Sequence, residues 1–222
     1  MAPTREKSLS EREFELLLEG AGRIDEPVQR LESRAAILIG GRLGLRPGET
    51  THLSSSWIDH ERQMIRIPEH HACTKGRDGG LCGYCRQAIE QRLRHDPDSI
   101  FEDFADLYWL PKTDAAARTV PFHFSYRVQV AIDLLITEHG GWPYSFSTLQ
   151  RRLNAALDLA PSLSRNATSL HGLRATAASY HASRGLDLAA LRAMFGWEDI
   201  ATARQYLNVD GAMTRRALDN IH

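Results

Sequence analysis

His171-Gly172-Leu173-Arg174 sets an imidazole and a guanidinium three residues apart, so on a helix both side chains leave from one face. An Ala-rich stretch from Ala175 to Ser183 follows, with a stop at Gly185. Asp187 is placed to cap a second short helix, Leu188 to Phe195, which ends at Gly196-Trp197. A third short helix around residues 202–207 carries Tyr206. Imidazole, fixed positive charge and phenol gathered by a compact helical array point to attack on a phosphodiester. The pentacoordinate species formed there puts charge on non-bridging oxygens, and guanidinium, charged at any working pH, is suited to meet it. Imidazole titrates near neutrality and can accept the proton of a phenol, whose ordinary pKa is about 10.

The elements that must position these groups are mostly helices. Ser10 and Glu13 have capping-box spacing, and Phe14, Leu17 and Leu18 then give a helix ending near Gly20-Ala21-Gly22. A longer helix runs from Pro27 to Ile39 into a Gly-rich turn, Gly40 to Glu49. The period then changes: His52 to Asp59 and Met64 to Ile67 read as two strands. Arg86 to His95 reads as a helix, Asp106–Leu110 and Arg118–Phe122 as a hairpin, and 124–138 and 145–158 as helices. The expected class is mainly α with a small antiparallel β-sheet (α+β). Residues 1–9 are expected to be disordered, 10–209 to form the domain, and 210–222 a tail helix packed on its own domain or on a neighbouring subunit.

The 222 residues carry ordinary hydrophobic (42%) and charged (25%) fractions for a globular chain with ample material for a core. No apolar run approaches the roughly 20 residues that span a bilayer, and the polar N-terminus lacks a signal sequence; no membrane partner and a cytoplasmic location are expected. The net charge of −1 is unevenly spread: residues 150–216 hold nine Arg against five acids, residues 87–111 two Arg against six acids. Binding to phosphates follows the local field, so the total does not exclude a nucleic-acid partner. Only Lys7, Lys75 and Lys112 occur beside 24 Arg.

Gly44-Leu45-Arg46 with Glu49, Lys112-Thr113 separated by four residues from Arg118-Thr119-Val120-Pro121, His171 with Arg174, Gly196-Trp197, and Tyr206 nine residues after Trp197 occur in that order. Together they resemble the catalytic domain of the tyrosine recombinases, the phage-integrase family, over roughly residues 10–215. The resemblance implies a tyrosine recombinase/type IB topoisomerase-like catalytic domain. Arg46 and Arg174 would hold the phosphate, and His171 would take the phenol's proton or share the phosphate. Tyr206 would be the nucleophile, forming a 3′-phosphotyrosyl link and releasing a 5′-hydroxyl. Trp197 stands where the family carries His or Trp, and its indole N–H can donate to a phosphate oxygen. Lys112 stands where the family places a mobile lysine that protonates the leaving oxygen. Glu49 is expected to orient Arg46. No catalytic cofactor is implied, because the covalent link conserves the phosphodiester's energy.

The implied partner is double-stranded DNA, with a homo-oligomer forming on it. Few residues precede the helix leading to Arg46, so the expectation is either a catalytic domain standing nearly alone, with an accessory protein in place of the family's N-terminal DNA-binding domain, or a fragment of a longer chain. Two other readings stay open: a non-catalytic DNA-binding regulator, and relaxation of supercoils in the type IB manner.

All three cysteines fall in one loop, Cys73, Cys82 and Cys85, next to His70 and His71. Three cysteines and one of the two histidines make a Cys₃His set fit for a structural zinc. Three reduced thiols or a redox pair are the alternatives. Lys75 and Arg77 near the loop's tip are within plausible reach of a DNA backbone.

Overall fold

Ser10 and Glu13 form the capping box their spacing predicts, and α1 (Glu11–Gly22) starts there. The computed structural model describes residues 8–77, 79–96, 98–105, 108–110, 114–165 and 168–206. The expected disordered N-terminus lies outside these residues up to Lys7, and so does the expected tail helix. Leu9 is already tied down, its N–H donating to Thr176 Oγ1 at 2.9 Å.

α2 (Pro27–Leu38) begins after Glu26, whose carboxylate accepts from the Val28 and Gln29 N–H groups. Its end widens into a single π turn, Ile39–Leu43, closed by Gly44 in the left-handed region at φ +66°. α3 (Pro47–His52) opens directly after Arg46. The strand expected from His52 to Asp59 is therefore mostly absent: the chain is helical through His52, makes a 3₁₀ turn at Ser55–Trp57, and only then forms β1 (Ile58–Asp59). The reason is local. Pro47 preorganises the first turn, Glu49 accepts the Arg46 N–H, and the Thr50 and Thr51 hydroxyls donate back to Arg46 O and Gly48 O. These bonds carry the helix through His52, where the strand was expected to begin.

β2 (Met64–Ile67), α4 (Gly83–Leu93), α5 (Glu102–Ala105) and β3 (Arg118–Pro121) follow, then α6 (Tyr126–His139), α7 (Phe146–Asp158), α8 (Leu170–Ser183), α9 (Leu188–Phe195) and α10 (Ile200–Arg204). The sheet is antiparallel in the order β1-β2-β3, with Ile58 opposite Ile65 and Ile65 opposite Val120. β3 thus pairs with β2 and, among the described residues, not with the stretch before it. Of the expected hairpin arm 106–110, Tyr108 to Leu110 form no strand, and the Trp109 backbone pairs with His71 instead. Sequence proximity suggested the hairpin. β2 offers a longer apolar partner face, since Ile65 and Ile67 are buried.

The helices close over one core. α1 packs on α7 so tightly that a Cβ on Gly20 would lie 2.3 Å from Ala156 O. α2 lies against α6 and α7, and α8 crosses the π turn, where Leu173 reaches Gly40. Phe14, Leu17, Ile37, Leu43, Leu153 and Leu173 are fully buried or nearly so; each such side chain contributes about 1.5–3 kcal/mol. Among the described residues no helix is long and apolar enough to cross a membrane.

Candidate active site

Arg46 caps α3, and a single carboxylate holds both its ends. Its backbone N–H donates to Glu49 Oε2 (2.7 Å) and its Nη1 to Oε1 (2.9 Å). Nη2 donates to Gly196 O at 2.9 Å, 150 residues away in sequence. That carbonyl is aimed by the end of α9, where Gly196 takes φ +57° and a Cβ would lie 2.6 Å from Ala115 O.

Arg118 on β3 grips the same Glu49 bidentately, with Nη1 to Oε1 at 2.7 Å and Nη2 to Oε2 at 2.9 Å, while its Nε–H donates to Met194 O at 2.7 Å. The expectation that Glu49 orients Arg46 is met geometrically, and Arg118 adds a part that sequence reasoning did not assign. The signal was present in the Arg118-Thr119-Val120-Pro121 segment. Burial alone would push the Glu49 carboxyl up, but hydrogen-bonded Arg118, with Arg174 and Arg46, pulls it below its ordinary value.

Arg174 enters from α8, only 4% exposed, and donates to Gly44 O and Phe195 O. Burial draws its guanidinium down to about 9, with Glu49 opposing, so it stays cationic at neutral pH. Three guanidiniums from distant parts of the chain therefore surround one carboxylate. Of the three, Arg46 and Arg174 line the pocket and can hold an anion there.

An aromatic stack lines the other side. Phe195 and Trp197 lie 4.8 Å apart at 19°, and Trp197 and Tyr206 5.3 Å apart at 1°. The Arg174 guanidinium sits over Phe195 and Trp197, 5.2 and 5.7 Å from the ring centres. Tyr206 is buried; desolvation raises its phenol above the ordinary value and Arg174 opposes the rise. His171 lies one turn before Arg174 on α8, exposed to the cavity.

Arg46, Glu49, His171, Arg174, Trp197 and Tyr206 all line a single cavity of about 690 Å³, with Tyr84 and Trp109 in its wall. Of the six residues that the sequence nominates for chemistry, five converge there. Lys112 lies outside the described residues.

The cysteine loop is placed differently from expectation. Among the described residues the group whose atoms could hold a metal is His52, Cys73, Cys82 and Cys85, all buried. The fourth member is thus His52, from α3, and neither His70 nor His71. His70 is exposed; His71 is fixed by its backbone to Trp109 and turns its ring edge-on to Trp57 at 5.6 Å. Lys75 points inward, donating to Thr51 O and Trp142 O, so it is not available to a DNA backbone; Arg77 is exposed.

The model of the phage integrase family matches residues 7–213, and the chain belongs to that family. No protein of curated function matches it in sequence. Among solved structures, the Tn1549 transposon integrase in complex with circular intermediate DNA superposes with a TM-score of 0.63 at 18% identity, covering 100% of this chain and 68% of that one. XerA recombinase gives 0.57 at 16% identity, over 97% of this chain and 65% of that one. The catalytic domain of bacteriophage HP1 integrase gives 0.58 at 17% identity, over 96% of this chain and 93% of that one. The chain thus spans about two thirds of the first two structures and nearly all of the isolated catalytic domain. Its fold, mainly helical with a small antiparallel sheet, is that of the tyrosine recombinase catalytic domain.

Proposed function

We propose that this protein is a site-specific recombinase that cuts and rejoins double-stranded DNA through a 3′-phosphotyrosyl bond to Tyr206. The observation that carries the reading is the convergence of Arg46, His171, Arg174, Trp197 and Tyr206, drawn from the cap of α3, from α8, and from the segments after α9 and α10, on one cavity. The Tn1549 integrase, of like fold, was solved on DNA.

In this reading Arg46 and Arg174 bind the non-bridging oxygens of one phosphodiester. Each guanidinium spends Nη1 and Nη2 bonds on carbonyls or Glu49 and has further N–H groups to offer. Tyr206 Oη attacks phosphorus and gives its proton to His171. The Oη–P bond forms, the P–O5′ bond breaks, and the departing 5′ oxygen takes a proton from Lys112. Attack by a 5′-hydroxyl on the phosphotyrosine runs the same steps backward and frees the enzyme. Trp197 supports the ring of Tyr206 by the parallel stack and offers its indole N–H to the phosphate.

A nicked duplex whose cut strand loses a short fragment traps the covalent step. The wild-type protein is expected to leave a DNA-linked band on a denaturing gel, with Tyr206→Phe leaving none. A wild-type protein that binds a pool of random-sequence nicked duplexes but never becomes attached would overturn the reading in favour of a non-catalytic regulator. Relaxation of supercoiled plasmid without strand exchange between two sites would point to the type IB activity.

A further inference from the structure

We propose that His52, Cys73, Cys82 and Cys85 bind one zinc ion, which ties the cysteine loop to α3 and so fixes the helix that presents Arg46.

The four side chains come from three separate segments and meet at one buried point. His52 Nε2 lies 3.5 Å from Cys73 Sγ, 3.6 Å from Cys82 Sγ and 3.3 Å from Cys85 Sγ. A tetrahedral zinc with bonds of about 2.3 Å to sulfur and about 2.0 Å to nitrogen separates sulfur from nitrogen by about 3.5 Å. The observed edges have that length, and all four ligand atoms lie within 4.8 Å of one another. Three unbridged thiols packed around an imidazole have little reason to collect there for packing alone.

The surroundings match a metal's outer shell. His52 Nδ1 lies 2.8 Å from Gly48 O, and a carbonyl only accepts, so Nδ1 carries the proton and the Nε2 lone pair faces the sulfurs. The Cys82 N–H donates to Cys73 Sγ and the Cys85 N–H to Cys82 Sγ, as amides do to thiolates in a Cys-x-x-Cys knuckle. Cys82 is also the N-cap of the eleven-residue α4, whose positive end favours thiolate. Three thiolates and a neutral imidazole leave a zinc centre with one negative charge, and the inward-turned Lys75 sits beside Thr51 O, next to His52 in the chain. The thiols release their protons to solvent as the bonds form.

The consequence lies in the length of α3. Arg46 caps its entry, and its six residues carry Glu49 in the first turn and His52 at the end. Trp109, stacked on His52 at 5.4 Å and 18°, and Tyr84, two residues after Cys82, both belong to the cavity wall. One ion therefore holds α3, α4 and that wall together. The link to Arg46 rests on the recombinase reading; the metal site itself does not.

The test reads metal without DNA. Protein purified without chelator is expected to carry about one zinc per chain by plasma mass spectrometry, released in step with titration of three thiols by a mercurial. His52→Ala should lose the zinc, and His70→Ala and His71→Ala should keep it. Because His52→Ala can fail to fold, wild-type protein loaded with cobalt provides the second measurement. It should give thiolate-to-cobalt absorption of a tetrahedral site and one strongly shifted, exchangeable proton from His52 Nδ1–H. Wild-type protein with only trace zinc and no cobalt–thiolate absorption would overturn the site. Zinc retained in a folded His52→Ala variant would overturn His52 as its ligand. Zinc present in a protein that never attaches to DNA would leave the site standing and remove only the recombinase reading.

Discussion

Glu49 shows how much of this site depends on one side chain that does no chemistry. It is 1% exposed and holds Arg46 and Arg118 directly, with Arg174 close enough to act on its charge. Without the carboxylate three guanidiniums would face one another in a desolvated pocket. Glu49→Gln is therefore expected to cost about 3–5 kcal/mol at neutral pH, the range for breaking a buried ion pair from one side. The sign of its pH dependence follows from the direction of the shift. The folded carboxyl titrates below its ordinary value, so its stabilisation is fully present above the unfolded value, about 4.3, and is lost as pH falls through the folded one. Urea unfolding of wild type and Glu49→Gln should show a constant gap from pH 8 to about 5 that narrows at more acid pH. A gap of equal size under acid and neutral conditions would mean that the carboxylate's charge is not what holds the three arginines. Arg118 belongs to the same unit. The Arg118-Thr119-Val120-Pro121 segment marks it among the 24 arginines, but what it holds is apparent only when β3 pairs with β2 and brings it against α3.

At the scale of elements, the turn between α2 and α3 sets the spacing of the whole cavity. Gly44 has φ +66°, its carbonyl accepts from Arg174, and a Cβ there would lie 2.2 Å from Phe195 Cε1. Phe195 begins the stack that ends at Tyr206. Gly44→Ala should thus combine the left-handed backbone cost of about 1–2 kcal/mol with about 1–3 kcal/mol for overpacking. Gly79→Ala is the matched control, since Gly79 has φ +73° with nothing within 4 Å of the added carbon, and should show the backbone cost alone. Urea midpoints of the two variants that coincide would show that Phe195 yields freely and that the stack does not depend on this turn. The same segment marks the limit of what sequence could reveal. Capped amphipathic helices were legible: Ser10 for α1, Pro27 for α2, and Asp187 to Gly196 for α9 all stand where the pattern puts them. The π turn and the short α3 were not, because five- and six-residue elements carry no full period. They are fixed by contacts with α8 and by bonds within Arg46–His52. His52 was hidden for the same cause. Read as the start of a strand, it had no reason to face Cys73, and the two histidines adjacent to the loop in sequence were the natural candidates. The convergence of Arg46 with His171, Arg174, Trp197 and Tyr206 was legible only as an order of motifs; the distances needed the fold.

The whole molecule has a net charge of −1, and its cavity is lined by Arg46 and Arg174 beside Glu49, Glu198 and Asp199, with Glu49 already held by Arg118 from outside the lining. Electrostatic binding to DNA depends on how many phosphates the protein neutralises, and its logarithm falls with the logarithm of salt with a slope of about −0.9 per phosphate. A chain with little overall charge gains nothing from long-range attraction, so the slope should count local contacts and not the total charge. Arg46 and Arg127 separate the two. Arg46 lines the cavity with a fifth of its side chain exposed, whereas Arg127 on α6 pairs with Glu15 on α1 and is not among the cavity's residues. Arg46→Gln and Arg127→Gln remove the same formal charge. Titrating a fluorescent duplex over a range of salt should reduce the slope by about 0.9 for Arg46→Gln and leave it unchanged for Arg127→Gln. Equal reductions would mean that net charge governs the encounter and that the cavity does not hold a phosphate in the bound state. A difference confined to Arg46 would tie affinity to the same guanidinium that Glu49 orients, which joins binding and catalysis in one set of contacts.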